Sequence, residues 1–217
     1  MKRNICAGKA ESTGNKALYN ADTPYRNNLL KALAGLFAGL AAFSPLHVSA
    51  AHAAEANSPK ALIVYFSHSG NTRAIAEYIH DKIGGDILEL KTTHSYPDEY
   101  RATTEQARDE LDKGFRPKLA NDIESTAPYD TIFIGYPTWW GTMPTAMFTF
   151  LEKHDLAGKK IIPFCTHGGS GFGRGLEDIA RLCPNSEILK GLAVRGTSAS
   201  RAKNEVNVWL HELRLAQ

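Results

Sequence analysis

The 217-residue chain is long enough for one domain and an extension, and its 25 Lys and Arg against 23 Asp and Glu give a net charge of only +2. Six of the basic and two of the acidic residues fall in the first 53 positions, leaving 19 basic against 21 acidic beyond them. No basic stripe interleaved with aromatics is present, which excludes a nucleic-acid surface; His80, His94, His154 and His211 are scattered without ligand spacing, which excludes a metal site.

The chain begins with a polar stretch to about residue 28, followed by an apolar run from Leu29 to Phe43 with Arg26 and Lys31 at its start. Ser44 and Pro45 break the run, and small residues follow at Val48-Ser49-Ala50 and Ala51-His52-Ala53. A charged segment, a short apolar core and a cleavage-like A-x-A site predict an export signal over residues 1–53. A domain would then span 54–217, in the periplasm or secreted. The run is shorter than the roughly 20 residues that cross a bilayer, so no stable membrane anchor is expected after cleavage. No adjacent arginines precede it, so export is expected to precede cofactor loading.

Beyond Lys60, strand-like and helix-like segments alternate. Apolar Ala61–Phe66 predicts a buried strand. Ser67-His68-Ser69-Gly70-Asn71-Thr72 follows it, then a helix over Thr72–Ile83 with Ile75, Ala76 and Ile79 on one face and Gly84-Gly85 as its stop. Hydroxyls and a glycine between a strand and a helix start suit an anionic phosphate, because helix-end N–H groups and the dipole favour negative charge there. Without a Walker lysine, a nucleoside triphosphate fits poorly. The plainer alternative is an ordinary capped turn.

A strand over Asp86–Lys91 and a helix over about Asp98–Leu111 come next. Glu105, Asp109, Glu110 and Asp112 are expected on that helix's solvated face. Strand Asp130–Tyr136 leads into Pro137-Thr138-Trp139-Trp140-Gly141. Neighbouring side chains of an extended segment face opposite ways, so at least one of the two indoles is expected at the surface or in a cleft, as a ring-binding face. Helix Pro144–Lys153 and strand Lys160–Cys165 precede Thr166-His167-Gly168-Gly169-Ser170-Gly171-Phe172-Gly173, a density of glycine that lets backbone wrap a ligand. Helix Gly175–Leu182, strand Glu187–Val194 and helix Lys203–Arg214 complete the pattern. Cys165 and Cys183 are expected near opposite ends of the sheet, beyond the roughly 7 Å limit for bridging. Alternation of this kind implies a parallel sheet covered on both sides. All three unusual segments fall at strand C-termini, where open α/β sheets bind ligands.

From about Lys60 onward the chain resembles the flavodoxins. Ser67–Thr72 is similar to the loop with which that family holds the phosphate of FMN without cationic side chains. Thr138–Gly141 and Thr166–Gly173 are similar to the two loops flanking the isoalloxazine ring. Tyr96-Pro97-x-x-Tyr100 and Trp139-Trp140-Gly141-Thr142-Met143-Pro144 resemble a bacterial subgroup often found with export signals. The resemblance implies a flavodoxin-like three-layer α/β sandwich of the short-chain type, with a five-stranded parallel sheet in the order 2-1-3-4-5. It implies FMN as cofactor, held by Ser67, His68 (mainly through backbone), Ser69, Gly70, Asn71 and Thr72 at the phosphate. Pro137, Thr138, Trp139, Trp140 and Gly141, with Thr166, His167, Gly168, Gly169 and Gly171, would surround the ring. The Gly141 carbonyl would accept a hydrogen bond from the reduced ring. His167 stands where relatives commonly carry an acidic or aromatic residue; as a donor or cation it would make full reduction easier, and the alternative is a side chain pointing to solvent.

No catalytic residue is assigned. The leading expectation is electron transfer outside the cytoplasm, with a redox protein or a small-molecule acceptor as partner. The alternatives are an FMN-dependent NAD(P)H:quinone reductase and a flavin-free module that binds a partner through its tryptophans. The fold does not choose among them.

Overall fold

A computed structural model describes residues 60–216; the expected export signal and its cleavage site lie outside the described residues. The elements are β1 (Ala61–Tyr65), α1 (Asn71–Ile83), β2 (Asp86–Glu89), α2 (Tyr100–Asp112), β3 (Thr131–Pro137), α3 (Thr145–Lys153), β4 (Lys160–His167), α4 (Gly175–Leu182), β5 (Glu187–Ile188), β6 (Leu192–Arg195), a 3₁₀ turn (Gly196–Arg201) and α5 (Lys203–Glu212). All strand pairs are parallel, in the order β2-β1-β3-β4-β5, with β6 also on β4.

The alternation of strand side chains builds two cores. Leu62, Val64, Ile132, Ile134 and Ile161 pack with Ala107 of α2, Met147 and Phe150 of α3 and Ile179 of α4. Ile63, Phe133, Ile162 and Phe164 face the other way, onto Ile75 and Ile79 of α1 and Val206, Trp209 and Leu210 of α5. The central strands are apolar throughout because helices cover both faces.

The expected strand Glu187–Val194 is two. β5 pairs Glu187 and Ile188 with Lys160 and Ile161, and β6 pairs Leu192–Arg195 with Phe164–His167. The break faces Pro163. Ile161 turns its carbonyl to Leu189 N–H on this side, and Pro163, two residues on, presents the same side without an N–H to donate. β4 also runs two residues further than expected, so Thr166 and His167 close a strand and the glycine loop starts at Gly168.

Cys165 and Cys183 are buried, unpaired thiols, and burial pushes each up to about 11.

Candidate functional site

The β1–α1 turn is built to present N–H groups. Phe66 N–H bonds Gly135 O at 3.0 Å, which keeps β1 in the sheet up to the turn. Gly70 caps α1 at φ +86°, a left-handed conformation that glycine adopts without steric cost, and as the N-cap it brings no side chain of its own. Any helix start leaves N–H groups without intrahelical partners. That of Arg73 is met by Ser67 Oγ at 3.2 Å. Those of Ser69, Gly70, Asn71 and Thr72 find no acceptor among the described residues. Because Ser67 Oγ accepts from Arg73, its own proton remains available. Thr72 is buried and its Oγ1 lies 2.8 Å from Thr166 Oγ1, tying the turn to the end of β4.

Arg73 stands beside this loop, but its guanidinium is bound at both ends to Glu89, at 3.1 and 2.5 Å. Lys91 approaches the same carboxylate at 2.8 Å. Burial would raise the Glu89 carboxyl; the bonds from Arg73 and Lys91 outweigh it and hold the group below its ordinary value. The Arg73 guanidinium is therefore held in an ion pair with Glu89, and the loop itself offers neutral donors to an anion.

The two indoles are held differently. Trp139 and Thr142 exchange both backbone hydrogen bonds, at 2.8 and 3.0 Å, around a tip formed by Trp140 (φ +49°) and Gly141 (φ +78°). Two successive positive φ values define a type I′ turn. Such a conformation is strained for tryptophan, and strain of this kind collects at binding sites. It leaves Trp140 half exposed, with its Nε1–H on Thr104 O at 2.8 Å and Arg108 stacked 4.7 Å from the ring. Trp139 is half-buried and meets Phe66, His68 and Tyr96 edge-on, at 5.5, 6.0 and 5.1 Å.

The second loop is stitched to the first. Thr138 N–H bonds Thr166 O at 2.8 Å, and Thr138 Oγ1 bonds Gly171 O at 2.7 Å. Gly173 (φ +56°) lies so close to Gly141 that a Cβ would stand 2.1 Å from its carbonyl oxygen. That carbonyl accepts Arg174 N–H at 2.8 Å at the start of α4. Gly168 O receives Arg195 Nη1 at 3.2 Å, bringing in the end of β6. His167 is partly exposed, and its Nδ1 is enclosed with no hydrogen-bond partner among the described residues.

Helix α2 supplies a wall that the motifs did not indicate. A cavity of about 570 Å³ is lined by His68 and Ser69, by Pro137–Trp140, and by Asp98, Tyr100, Thr103, Thr104 and Ala107. Its volume lies within the range of small-ligand sites. Behind this wall, Glu110 is buried, against the expectation of a solvated acidic face. It accepts from Tyr96 OH at 2.5 Å, Thr145 Oγ1 at 2.6 Å and Gln106 Nε2 at 2.9 Å. The other acids expected on that face, Glu105, Asp109 and Asp112, do lie at the surface and pair with Arg101, Lys113 and Arg108. Burial and the bond to Glu110 raise the Tyr96 hydroxyl well above its ordinary value, so it stays a donor. The one sequence signal for this wall was Tyr96-Pro97-x-x-Tyr100, whose two tyrosines bracket the start of α2.

Unmet N–H groups, an available Ser67 proton and an aromatic-walled cavity lie along one rim of the sheet. A phosphate-bearing ring compound such as FMN fits this donor set. The turn would take the phosphate, and the Trp139–Trp140 loop would take the ring.

A family model described as Flavodoxin matches residues 60–213. A protein from Bacteroides uniformis, provisionally described as a flavoprotein, is 30% identical with a TM-score of 0.63, over 71% of this chain and 99% of that one. One from Bacteroides eggerthii, described in the same terms, is 28% identical with a TM-score of 0.63, over 71% of this chain and 98% of that one. A Lactobacillus acidophilus flavoprotein in complex with FMN is similar in fold, with a TM-score of 0.53 at 23% identity over 66% of this chain and 98% of that one. No protein of curated function matches.

Proposed function

The chain belongs to the flavodoxin family, and from that premise we propose that it binds FMN and transfers electrons outside the cytoplasm. The observation that carries the reading is the set of four unmet N–H groups, Ser69 to Thr72, on the same rim as the indole-walled cavity. The location rests on the sequence pattern of residues 1–53.

Bound FMN would supply the electron chemistry, and the chain would hold and tune it. Ser69–Thr72 N–H and the Ser67 hydroxyl bind the phosphate, and Arg73 contributes little while Glu89 holds it. Trp139 and Trp140 shelter the ring from water. His167 presents an enclosed, unpaired nitrogen at the end of β4.

A second reading, an FMN-dependent NAD(P)H:quinone reductase, is favoured by the cavity's extension along α2, which gives a small acceptor a place to dock.

The test is the absorbance spectrum of the mature protein, with the released cofactor identified by mass. A folded chain that stays colourless and takes up no added FMN overturns the proposal. Fractionation of the native host, with the chain found inside the cytoplasm, overturns the location. Sustained NAD(P)H oxidation with a quinone selects the second reading; rapid exchange with a redox protein alone selects the first.

A further inference from the structure

The two indoles depend on α2 in unequal ways. Trp140 is tied to it directly, by its Nε1–H on Thr104 O and by Arg108. Trp139 makes no side-chain hydrogen bond among the described residues, and its ring is placed by packing against Phe66, His68 and Tyr96. Of these three, only Tyr96 has its side chain fixed by a hydrogen bond, to Glu110 at 2.5 Å. Tyr96 lies in the connection from β2 to α2, outside any helix or strand. Backbone regularity does not set its direction; packing in the core against Phe66 and the bond from its hydroxyl to Glu110 do.

Glu110 is itself unusual. It is 8% exposed and is met by three neutral donors, Tyr96, Thr145 and Gln106, with no cation among its hydrogen-bonded or ion-paired partners in the described residues. Removing a carboxylate from water without an opposite charge is costly. A leucine of similar size would fill the space beside Ala107 and Leu111 at less cost, but could not orient a phenol. A satisfied buried polar group instead fixes one arrangement of its neighbours.

We propose that Glu110 is a positioning residue of this site: through the Tyr96 hydroxyl it sets the orientation of Trp139, one of the two indoles on the wall of the proposed flavin cavity. The relay runs from carboxylate to phenol by a hydrogen bond and from phenol to indole by an edge-on ring contact at 5.1 Å and 80°. The inference rests on the FMN reading only for its affinity readout; the geometry of Trp139 is testable without ligand.

Near-UV circular dichroism of the full chain, minus that of the same chain carrying Trp139→Phe, isolates the Trp139 band. Tyr96→Phe keeps the ring and removes the bond; Glu110→Gln keeps the shape and removes the charge. Each is expected to cut the band at least to about half. Each should also weaken FMN binding about tenfold, the equivalent of one hydrogen bond to a charged group. The double variant should lose no more than either single one, because both act on one path. Val206→Ala, a truncation in the core on the opposite face of the sheet, should lower Tm and leave the band in place. An unchanged band in folded Tyr96→Phe overturns the proposal, as does a double variant whose losses sum or a Val206→Ala chain with the same collapse. Should Glu110→Gln fail to fold, Tyr96→Phe decides alone. Collapse of the band in a chain that takes up no FMN supports the positioning role and overturns the cofactor.

Discussion

Thr72 and Thr166 share a buried hydrogen bond between their hydroxyls, 2.8 Å long and spanning 94 residues of sequence. It joins the first turn of α1 to the end of β4, two parts of the rim that no backbone ladder connects. Thr166→Val would leave the Thr72 hydroxyl without this partner, and a buried group stranded in that way costs about 1–3 kcal/mol. Urea denaturation should show a loss of that size for Thr166→Val and a smaller one for the double change to valine, where neither hydroxyl is stranded. FMN affinity should fall in both, because the Thr72 N–H belongs to the same turn.

The Arg73–Glu89 pair makes an opposite expectation. Glu89→Gln releases a guanidinium beside the phosphate turn, so binding of FMN should tighten a few-fold at low salt, and added salt should erase the gain. The same substitution has a pH signature. The Glu89 carboxyl titrates below its ordinary value when folded, since Arg73 and Lys91 outweigh the effect of burial. Its contribution to stability is therefore complete above the ordinary carboxylate range and is lost as pH falls through the lowered value. Tm measured from neutral to strongly acid pH should converge between wild type and Glu89→Gln at the acid end and diverge above it.

Two loop glycines separate conformation from space. Gly141 and Gly173 both have left-handed φ, yet a Cβ on Gly141 meets nothing within 4 Å, whereas one on Gly173 collides with the Gly141 backbone. Gly141→Ala should cost about 1 kcal/mol from backbone strain alone. Gly173→Ala adds a steric term of about 1–3 kcal/mol and should part the two stitched loops. Denaturation midpoints rank the pair; equal losses would show that the loops separate freely.

Cys165 and Cys183 are buried thiols raised to about 11. Only thiolate reacts readily, so a disulfide reagent should modify neither at neutral pH on a time scale of minutes and should modify both once the chain is unfolded. Release of fewer thiols from unfolded, unreduced mature protein would reveal a bridge and a wrong placement of β4 or α4.

The parts of this fold that the sequence makes readable are those governed by local period. Apolar Ala61–Phe66 and Thr131–Ile134, and Ile75, Ala76 and Ile79 at helical spacing, point to the strands and helix found. Short motifs located the rim for the same reason, since a turn's glycines and hydroxyls are contiguous. What escaped is non-local. Pro163 interrupts pairing on a neighbouring strand, 26 residues before the break begins at residue 189. Glu110 looks like its solvated neighbours Asp109 and Asp112 in a string of letters; its burial follows from Tyr96 and Thr145, which arrive from other elements. The role of α2 as a wall had no local signature beyond its flanking tyrosines.

The divided outer strand has a consequence for a chain made in quantity. An uninterrupted sheet border offers a row of amides and carbonyls on which another molecule can add its own strand, the first step toward insoluble fibres. Here that border is cut into runs of two and four residues, too short to template a partner. A proline in the interior of the sheet thereby protects its margin from self-association.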